Sequence, residues 1–368
     1  MMNRIFALCA MAMLLAGCSD GEQATTETAV DDTKVYHWRM VTTWPKNFPG
    51  MGTAVEVYAD RVRKMTDGRM DIRVYGAGEI VPALEVFEAV SQGTVQMGHG
   101  ASYYWKGKVP AAQFFTAVPF GFTAQEMNAW LFYGGGIELW RQLYAKYDLV
   151  PIVGGNTGVQ MAGWFNREIN SLEDIKGMKM RIPGMGGEVF ERAGGIAVSL
   201  PGGEIFTSLQ TGVIDATEWV GPYNDMSFGL HQVARYYYYP GWQEPGPALE
   251  LIINKTEYDA LPEDLQEILE VAGRAMNADV LSEYTARNNA SLSELVDKHG
   301  IEIRRLPDDV IAEFKRIAKE VVTEVVDDDD PLTKQIYDSY SQFLENVSSY
   351  HEISERAYIN TRGSGGQR

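Results

Sequence analysis

The sequence predicts an α/β protein folded as two α/β lobes around a ligand cleft, with hinge strands between the lobes and a long C-terminal helix. Three observations predict it. From about Val35, short β-rich runs alternate with longer amphipathic helical ones, the pattern of sheets covered by helices. Setting aside the first 35 of 368 residues leaves a body of about 330, more than one hydrophobic core usually supports. The chain also echoes itself: Glu85-Val86-Phe87-x-x-Val90-x-x-Gly93-x-Val95 recurs as Glu204-Ile205-Phe206-x-x-Leu209-x-x-Gly212-x-Ile214. In both copies a helix with an apolar stripe stops at Gly and turns at once into a strand. Two copies cannot make a solenoid, which needs at least three, but they suit two similar lobes. Generic rules for Gly stops and β-branched residues are the competing explanation of the echo.

The N-terminal segment has its own logic. Met1-Met2-Asn3-Arg4 is followed by an apolar run from Ile5 to Leu15 and then by Leu15-Ala16-Gly17-Cys18, after which the text turns polar. The run is too short to cross ~30 Å of hydrocarbon, which takes about 20 residues, so 1–17 reads as an export signal ending in a lipobox. Cys18 would become the lipidated first residue, tethering the protein to a membrane. Residues 18–35, rich in Thr, Glu, Asp and Ala without apolar periodicity, cannot bury enough surface to offset chain entropy and are expected to form a disordered tether. The second cysteine, Cys9, lies inside the signal, which excludes disulfides, Cys nucleophiles and Cys-ligated metals from the body.

Along the body, Tyr36–Thr42 reads as a strand and Gly52–Thr66 as a helix with Ala54, Val55, Tyr58, Val62 and Met65 near one face. A strand over Asp71–Tyr75, a helix over Pro82–Gln92 stopped by Gly93, and a strand over Val95–His99 complete the first unit. The second runs through strand Lys179–Ile182, a helix around Gly187–Ala193, strand Ala197–Leu200 and the repeated helix leading into strand Ile214–Trp219. Ala248–Asn254, apolar and β-branched, is a strand that crosses back. Helices follow near Pro262–Ser282, Tyr284–His299 and Asp308–Val325, with a strand at Glu302–Arg305. Asp327 to Asp330 before Pro331 reads as a solvated break between helices. The last helix, Leu332–Ser348, carries Ile336, Tyr340, Phe343 and Val347 on one side and either packs across both lobes or docks onto a second subunit. The division expected is lobe I over 36–157 and 246–288, lobe II over 158–245 and 289–331, the C-terminal helix over 332–348 and a tail over 349–368.

Composition narrows the function. A net charge of −18, with no basic stripe to neutralise phosphates, argues against nucleic acid and obliges any anion site to carry its own positive charge. HExxH, GxxxxGK[ST] and GxSxG are all absent, and the paired glycines lack the dinucleotide fingerprint and read as turns. His99, at a strand end, reads as a satisfied structural imidazole.

Polar residues at strand ends remain, where α/β proteins place their ligands. Arg181 within Lys179-Met180-Arg181-Ile182-Pro183-Gly184 can present a planar fork to a carboxylate, a pair worth roughly 1.5–3 kcal/mol when water is excluded. Its alternative role is a structural salt bridge. Glu218-Trp219 ends the second repeated strand, and Gln243-Glu244-Pro245 follows the aromatic run Tyr236 to Tyr239. Two glutamates brought together repel unless one is protonated or a cation lies between them. With the amide oxygen of Gln160 and a backbone carbonyl they would make an all-oxygen site of the kind Na⁺ or Ca²⁺ prefers, although spacing alone does not bring them together.

At these residues the chain resembles the substrate-binding subunits of TRAP (tripartite ATP-independent periplasmic) transporters, in particular the group that binds 2-oxo acids such as pyruvate with a cation. The markers are Met40-x-x-x-Trp44-Pro45, the Glu85 to Gly93 unit, Asn156-x-x-x-Gln160, Met180-Arg181-Ile182-Pro183-Gly184, the Glu204 to Ala216 unit, and Glu218-Trp219-Val220-Gly221-Pro222, over about Tyr36 to Val347. The resemblance implies a periplasmic binding protein-like fold, capture of a small 2-oxo or 2-hydroxy monocarboxylate, and delivery to membrane permease subunits. It implies that Arg181, with Asn156 beside it, holds the ligand carboxylate. It implies a Na⁺ or Ca²⁺ held by Gln160, Glu218, the Trp219 carbonyl and Glu244, completed by the ligand. Trp44, Tyr103 and Tyr104 would contribute an aromatic wall, with the tyrosine that faces the ligand left open. Relatives of this kind dimerise through the C-terminal helix. The lipobox is a departure, since many relatives carry a plainly cleaved signal. Competing readings are a lipoprotein that senses the same acids, and an enzyme using Glu218 and Glu244 as acid and base, which no nucleophile accompanies.

Overall fold

A computed structural model describes residues 34–326 and 330–363; the lipobox with Cys18, nearly all of the expected tether and residues 327–329 lie outside them. Among the described residues there are eleven strands: β1 (Tyr36–Thr42), β2 (Met70–Tyr75), β3 (Met97–Gly100), β4 (Leu149–Asn156), β5 (Gly163–Phe165), β6 (Lys179–Arg181), β7 (Ile196–Val198), β8 (Ala216–Thr217), β9 (Tyr236–Tyr239), β10 (Ala248–Asn254) and β11 (Glu302–Arg305). They form two sheets, ordered β2-β1-β3-β10-β4 and β11-β9-β5-β8-β6-β7.

The echo in the sequence is an echo in topology. β2-β1-β3 and β7-β6-β8 are both all-parallel triplets. Each is wound in the same order: β1, helix Met51–Met65, β2, helix Val86–Ser91, β3 in the first lobe, and β6, helix Gly184–Arg192, β7, helix Gly202–Gln210, β8 in the second. Gly93 and Gly212 close the repeated helices at φ 71° and 73°, a left-handed stop that a side chain would strain. An antiparallel strand then covers each triplet, β10 beside β3 and β5 beside β8. β10, buried at every position, reads Ala-Leu-Glu-Leu-Ile-Ile-Asn because it is covered on both faces.

The hydrophobic core crosses the lobe boundary on both sides. One cluster joins Val41, Val90 and Phe115 to Met180, Phe190 and Phe314, and the other joins Trp38, Val55 and Tyr58 to Trp164, Ile205 and Tyr237.

Several elements differ from the sequence-based expectation. Glu263–Asp297 is one helix of 35 residues, about 52 Å long, where two were expected. No Gly or Pro between Arg274 and Lys298 interrupts it, and its buried residues, from Leu265 to Tyr284 and Leu295, carry it past β4 and helix Met51–Met65 to helix Pro222–Ser227 of the second lobe. β8 is two residues long rather than six: Glu218 N–H still bonds to the Arg181 carbonyl, and the chain then leaves the sheet toward Gly221-Pro222. The last helix runs Pro331–Ile353, opened by the Asp330 side chain accepting from Leu332 N–H, and a further helix, Glu355–Arg362, occupies much of the expected tail. The Pro331–Ile353 helix rests on the Pro110–Phe115, Ala124–Tyr133 and Gly136–Ala145 segments, with Ile336 and Tyr340 buried. Helix Ala124–Tyr133 escaped the sequence reading because Ala-Gln-Glu-Met-Asn-Ala-Trp-Leu-Phe-Tyr shows no clean apolar stripe. Among the described residues no helix is long and apolar enough to cross a membrane.

Candidate ligand and cation site

The strand order brings the sequence-predicted residues to one edge. Arg181 ends β6, Glu218 and Trp219 follow β8, Trp44 follows β1, Tyr103 and Tyr104 lie in the turn after β3, Asn156 ends β4, and Gln160 follows it. Glu244 precedes β10, which runs antiparallel, so it arrives at the same edge from the other direction. This is the carboxyl edge at which open α/β sheets bind ligands, supplied here by both sheets. Arg181, Glu218, Glu244, Gln160, Asn156, Trp44, Trp219 and Tyr103 are all buried.

Arg181 is paired inside the protein. Its Nη1 donates to the Glu218 carboxylate and to the Glu218 carbonyl at 3.3 Å, its Nε to the Leu200 carbonyl at 3.1 Å, and its Nη2 to the Tyr104 hydroxyl at 3.2 Å. The bridge weighed as an alternative from sequence is therefore present, with Glu218 as the partner. Of five guanidinium N–H groups these bonds use four, leaving one on Nη2.

The acidic side of the site is under electrostatic load. Burial pushes Glu218 up to about 7 against the pull of Arg181, with Asp225 adding repulsion. Burial likewise drives Glu244 well above the carboxylate range, and the Glu218 charge drives it further, with Arg181, Tyr103 and Gln160 opposing. Gln160 Nε2 donates to Glu244 at 2.8 Å and its backbone N–H to the Glu244 carbonyl at 3.2 Å, which fixes these two residues on each other. Three buried oxygens nearby, Glu218 Oε2, Gln160 Oε1 and Gln243 Oε1, lack any donor among the described residues. Unsatisfied acceptors beside two mutually repelling carboxylates are the donor set a hard cation satisfies, so the residues fit one. Among the described residues no group of three His, Cys, Asp or Glu is placed to hold a metal ion.

The aromatic wall has a defined order. The Trp219 ring lies 5.9 Å from Trp44 and beneath the Arg181 guanidinium at 5.2 Å, and Tyr104 lies 6.1 Å from Trp44. Both tyrosines serve the site: Tyr104 accepts from Arg181, while Tyr103 stands beside Glu244. Trp44 Nε1 donates to His99 Nδ1 at 2.7 Å, and His99 Nε2 bonds the Gly154 carbonyl at 2.9 Å. Burial pushes His99 down to about 4, so it is neutral, satisfied, and the support that orients Trp44. Asn156 is committed to backbone, accepting from Gly158 N–H at 2.8 Å and donating to the Gly246 carbonyl at 3.0 Å. It thereby ties the segment carrying Gln160 to the one carrying Glu244. Gln243, Phe48 and Asp225 belong to the site's surroundings and were not found from sequence; only Gln243, next to Glu244, lay in a motif already singled out.

Comparison with known proteins identifies the family. Residues 40–329 match the family model "Bacterial extracellular solute-binding protein, family 7". A protein of Nostoc sp. named a monocarboxylate 2-oxoacid-binding periplasmic protein is 39% identical over 358 residues, covering 97% of each chain. The crystal structure of a TRAP periplasmic solute-binding protein from Pseudoalteromonas atlantica with bound sodium and pyruvate superposes with a TM-score of 0.86 at 43% identity, covering 89% of this chain and 99% of the other. One from Colwellia psychrerythraea with calcium and pyruvate gives 0.86 at 42%, covering 89% and 100%. A third, from Bordetella bronchiseptica, a dimer with calcium and picolinate in one active site, gives 0.87 at 37%, covering 89% and 97%. The chain belongs to family 7 of the bacterial extracellular solute-binding proteins, the periplasmic solute-binding proteins of TRAP transporters.

Proposed function

We propose that this protein captures a small 2-oxo or 2-hydroxy monocarboxylate, of the size of pyruvate or lactate, together with a bound Na⁺ or Ca²⁺, and delivers it to TRAP permease subunits. The observation that carries the reading is the convergence of one buried guanidinium with a spare N–H and a set of donorless oxygens around Glu218 and Glu244. Gln160, Glu218, the Trp219 carbonyl and Glu244 would hold the cation, and its charge would relieve the two carboxylates and give the ligand a second positive partner. Arg181 holds the ligand carboxylate in this reading, Trp44 and the tyrosines limit the chain length, and Asn156 acts by fixing the loops around the site. The decisive experiment is calorimetric titration of pyruvate and lactate into protein stripped with chelator, with Ca²⁺, with Na⁺, and with neither. Heat of binding that needs a cation supports the reading, and tight binding without one rejects it.

The same proposal covers the ends of the chain. Cys18 is the lipid-bearing residue of an exported lipoprotein; Cys18→Ala is expected to release the protein from the membrane fraction. The C-terminal helices leave Tyr350, Ile353, Tyr358 and Ile359 exposed, a face suited to a second copy, and light scattering is expected to report a dimer.

A further inference from the structure

We infer that Asp225 is the positioning residue of the cation centre, holding in place the Glu218 to Gly221 segment that offers the carboxylate of Glu218 and the carbonyl of Trp219. The inference rests on the cation reading above and concerns a residue that touches neither cation nor ligand in that reading. Its grounds are geometric. Asp225 is 1% exposed and accepts four hydrogen bonds, all from neutral donors. Oδ1 takes the backbone N–H groups of Val220 and Gly221, each at 3.1 Å, and Oδ2 takes Trp164 Nε1 at 2.9 Å and the Tyr237 hydroxyl at 2.6 Å. Trp164 and Tyr237 are neighbours across β5 and β9, their rings stacked 4.0 Å apart, so the carboxylate is anchored in the body of the second sheet. From that anchor it reaches the two residues immediately after Trp219.

The alternative, that Asp225 merely starts the short helix Pro222–Ser227, accounts for the two backbone bonds but not for the two side chains that grip the other oxygen. Those would be superfluous for a cap and are what a fixed strut requires. The placement also explains why β8 can be two residues long. Glu218 and Trp219 leave the ladder, and the constraint that a strand would have supplied is supplied by Asp225 instead. Partners that orient metal ligands without touching the metal commonly change affinity by roughly 10–100-fold when removed.

The test compares Asp225→Asn with wild type by titrating Ca²⁺ into chelator-treated protein, following both melting temperature and calorimetric heat, and then titrating pyruvate at saturating Ca²⁺. In the variant an amide N–H₂ faces two donors, so the grip on the segment loosens. The expected result is a Ca²⁺ half-saturation raised at least roughly tenfold, with pyruvate affinity at saturating Ca²⁺ recovering to within about threefold of wild type. Tyr237→Phe, which keeps the carboxylate and removes one donor, is expected to shift half-saturation in the same direction by a smaller factor, and it carries the test if Asp225→Asn does not fold. A melting temperature that falls while Ca²⁺ half-saturation stays within about twofold overturns the inference and leaves a structural cap. If wild type itself binds pyruvate without regard to cation, the reading of the site falls first and this inference with it, an outcome separate from the variant's.

Discussion

Two buried carboxylates that look alike in sequence behave differently because of what faces them. Glu218 is paired with Arg181, so Arg181→Ala would strand a buried charge and cost on the order of 3–5 kcal/mol, confounding loss of binding with loss of fold. Arg181→Lys is the cleaner probe. It keeps the charge but lacks a planar fork able to serve Glu218, Leu200, Tyr104 and a ligand together. Pyruvate affinity is expected to fall at least roughly tenfold with a melting temperature within a few degrees of wild type, and near-normal affinity in calorimetry would remove Arg181 from the ligand. Glu250, at the centre of β10, faces only neutral donors, Trp105 Nε1 and the Tyr144 hydroxyl, and burial pushes it up to about 7. The folded protein then holds a proton that the unfolded chain has already released above about 4.5, so this contribution is fully present below that pH and is lost as pH rises through about 7. The difference amounts to something on the order of 3 kcal/mol. Glu250→Gln is expected to flatten the decline in melting temperature between pH 5 and 8, and parallel curves for the two proteins would refute the assignment. Arg181, Glu218 and Glu244 stood out in the sequence as polar residues at or after strand-like runs, but their coming together with Gln160 was implied only by the family resemblance, because spacing alone does not join them. Asp225 and His99 could not be assigned their roles that way, since the groups they bond, Trp164 and Tyr237 in one case and Trp44 and Gly154 in the other, are distant along the chain.

At the level of elements, the parts best read from sequence were those whose signals are local. The repeated helix with its Gly stop, β1, β10 and β11 all carry their own periodicity or β-branched run, and the echo between the lobes proved to mark equivalent strands. Elements governed by what lies across from them were missed or mis-sized: Ala124–Tyr133 buries half of its residues without a clean apolar stripe, β8 is cut short where the site begins, and the break expected inside Glu263–Asp297 is overridden by packing at both ends of the helix, from Leu265 to Tyr284 and at Ser291 and Leu295. Gly273 shows how tight that packing is. A Cβ there would lie 2.5 Å from Ile152 Cγ2 and 3.0 Å from the Val153 carbonyl oxygen. Helix propensity alone favours Gly273→Ala by about 1 kcal/mol, whereas forcing the helix off β4 costs about 1–3 kcal/mol. Because one of the obstructing atoms is backbone, the second effect should win. Chemical denaturation is expected to show a net loss of stability, and a gain would mean that the helix and sheet can separate without penalty.

Across the whole molecule, the site is also where the two lobes are fastened. Phe48, from the loop after β1, stacks on Phe228 of the second lobe at 4.2 Å, and the Trp219 ring stands edge-on to both. Around this trio, Asn224 Nδ2 donates to the Pro49 carbonyl at 2.7 Å, and on the far side Lys106 Nζ reaches the Gly184 carbonyl at 3.0 Å. Trp219 therefore has two jobs in the proposed reading: its ring supports Arg181 and the lobe contact, while its carbonyl would be offered to the cation. A ligand that needs groups from both lobes can gain all its contacts only when they are closed, so the stability of this seam enters the affinity directly. Phe48→Ala removes a buried ring from the seam while leaving every proposed ligand and cation donor in place. Losing that burial costs about 1.5–3 kcal/mol of closed state, enough for a roughly tenfold weaker complex. Since the ring acts after encounter, the loss is expected in the dissociation rate, followed by stopped-flow tryptophan fluorescence, with the association rate within about threefold of wild type. X-ray scattering should then show a larger radius of gyration for the variant at sub-saturating pyruvate, converging on wild type as the ligand saturates. An unchanged dissociation rate would mean that the lobes are held by the ligand alone and that the Phe48–Phe228 stack only fills space.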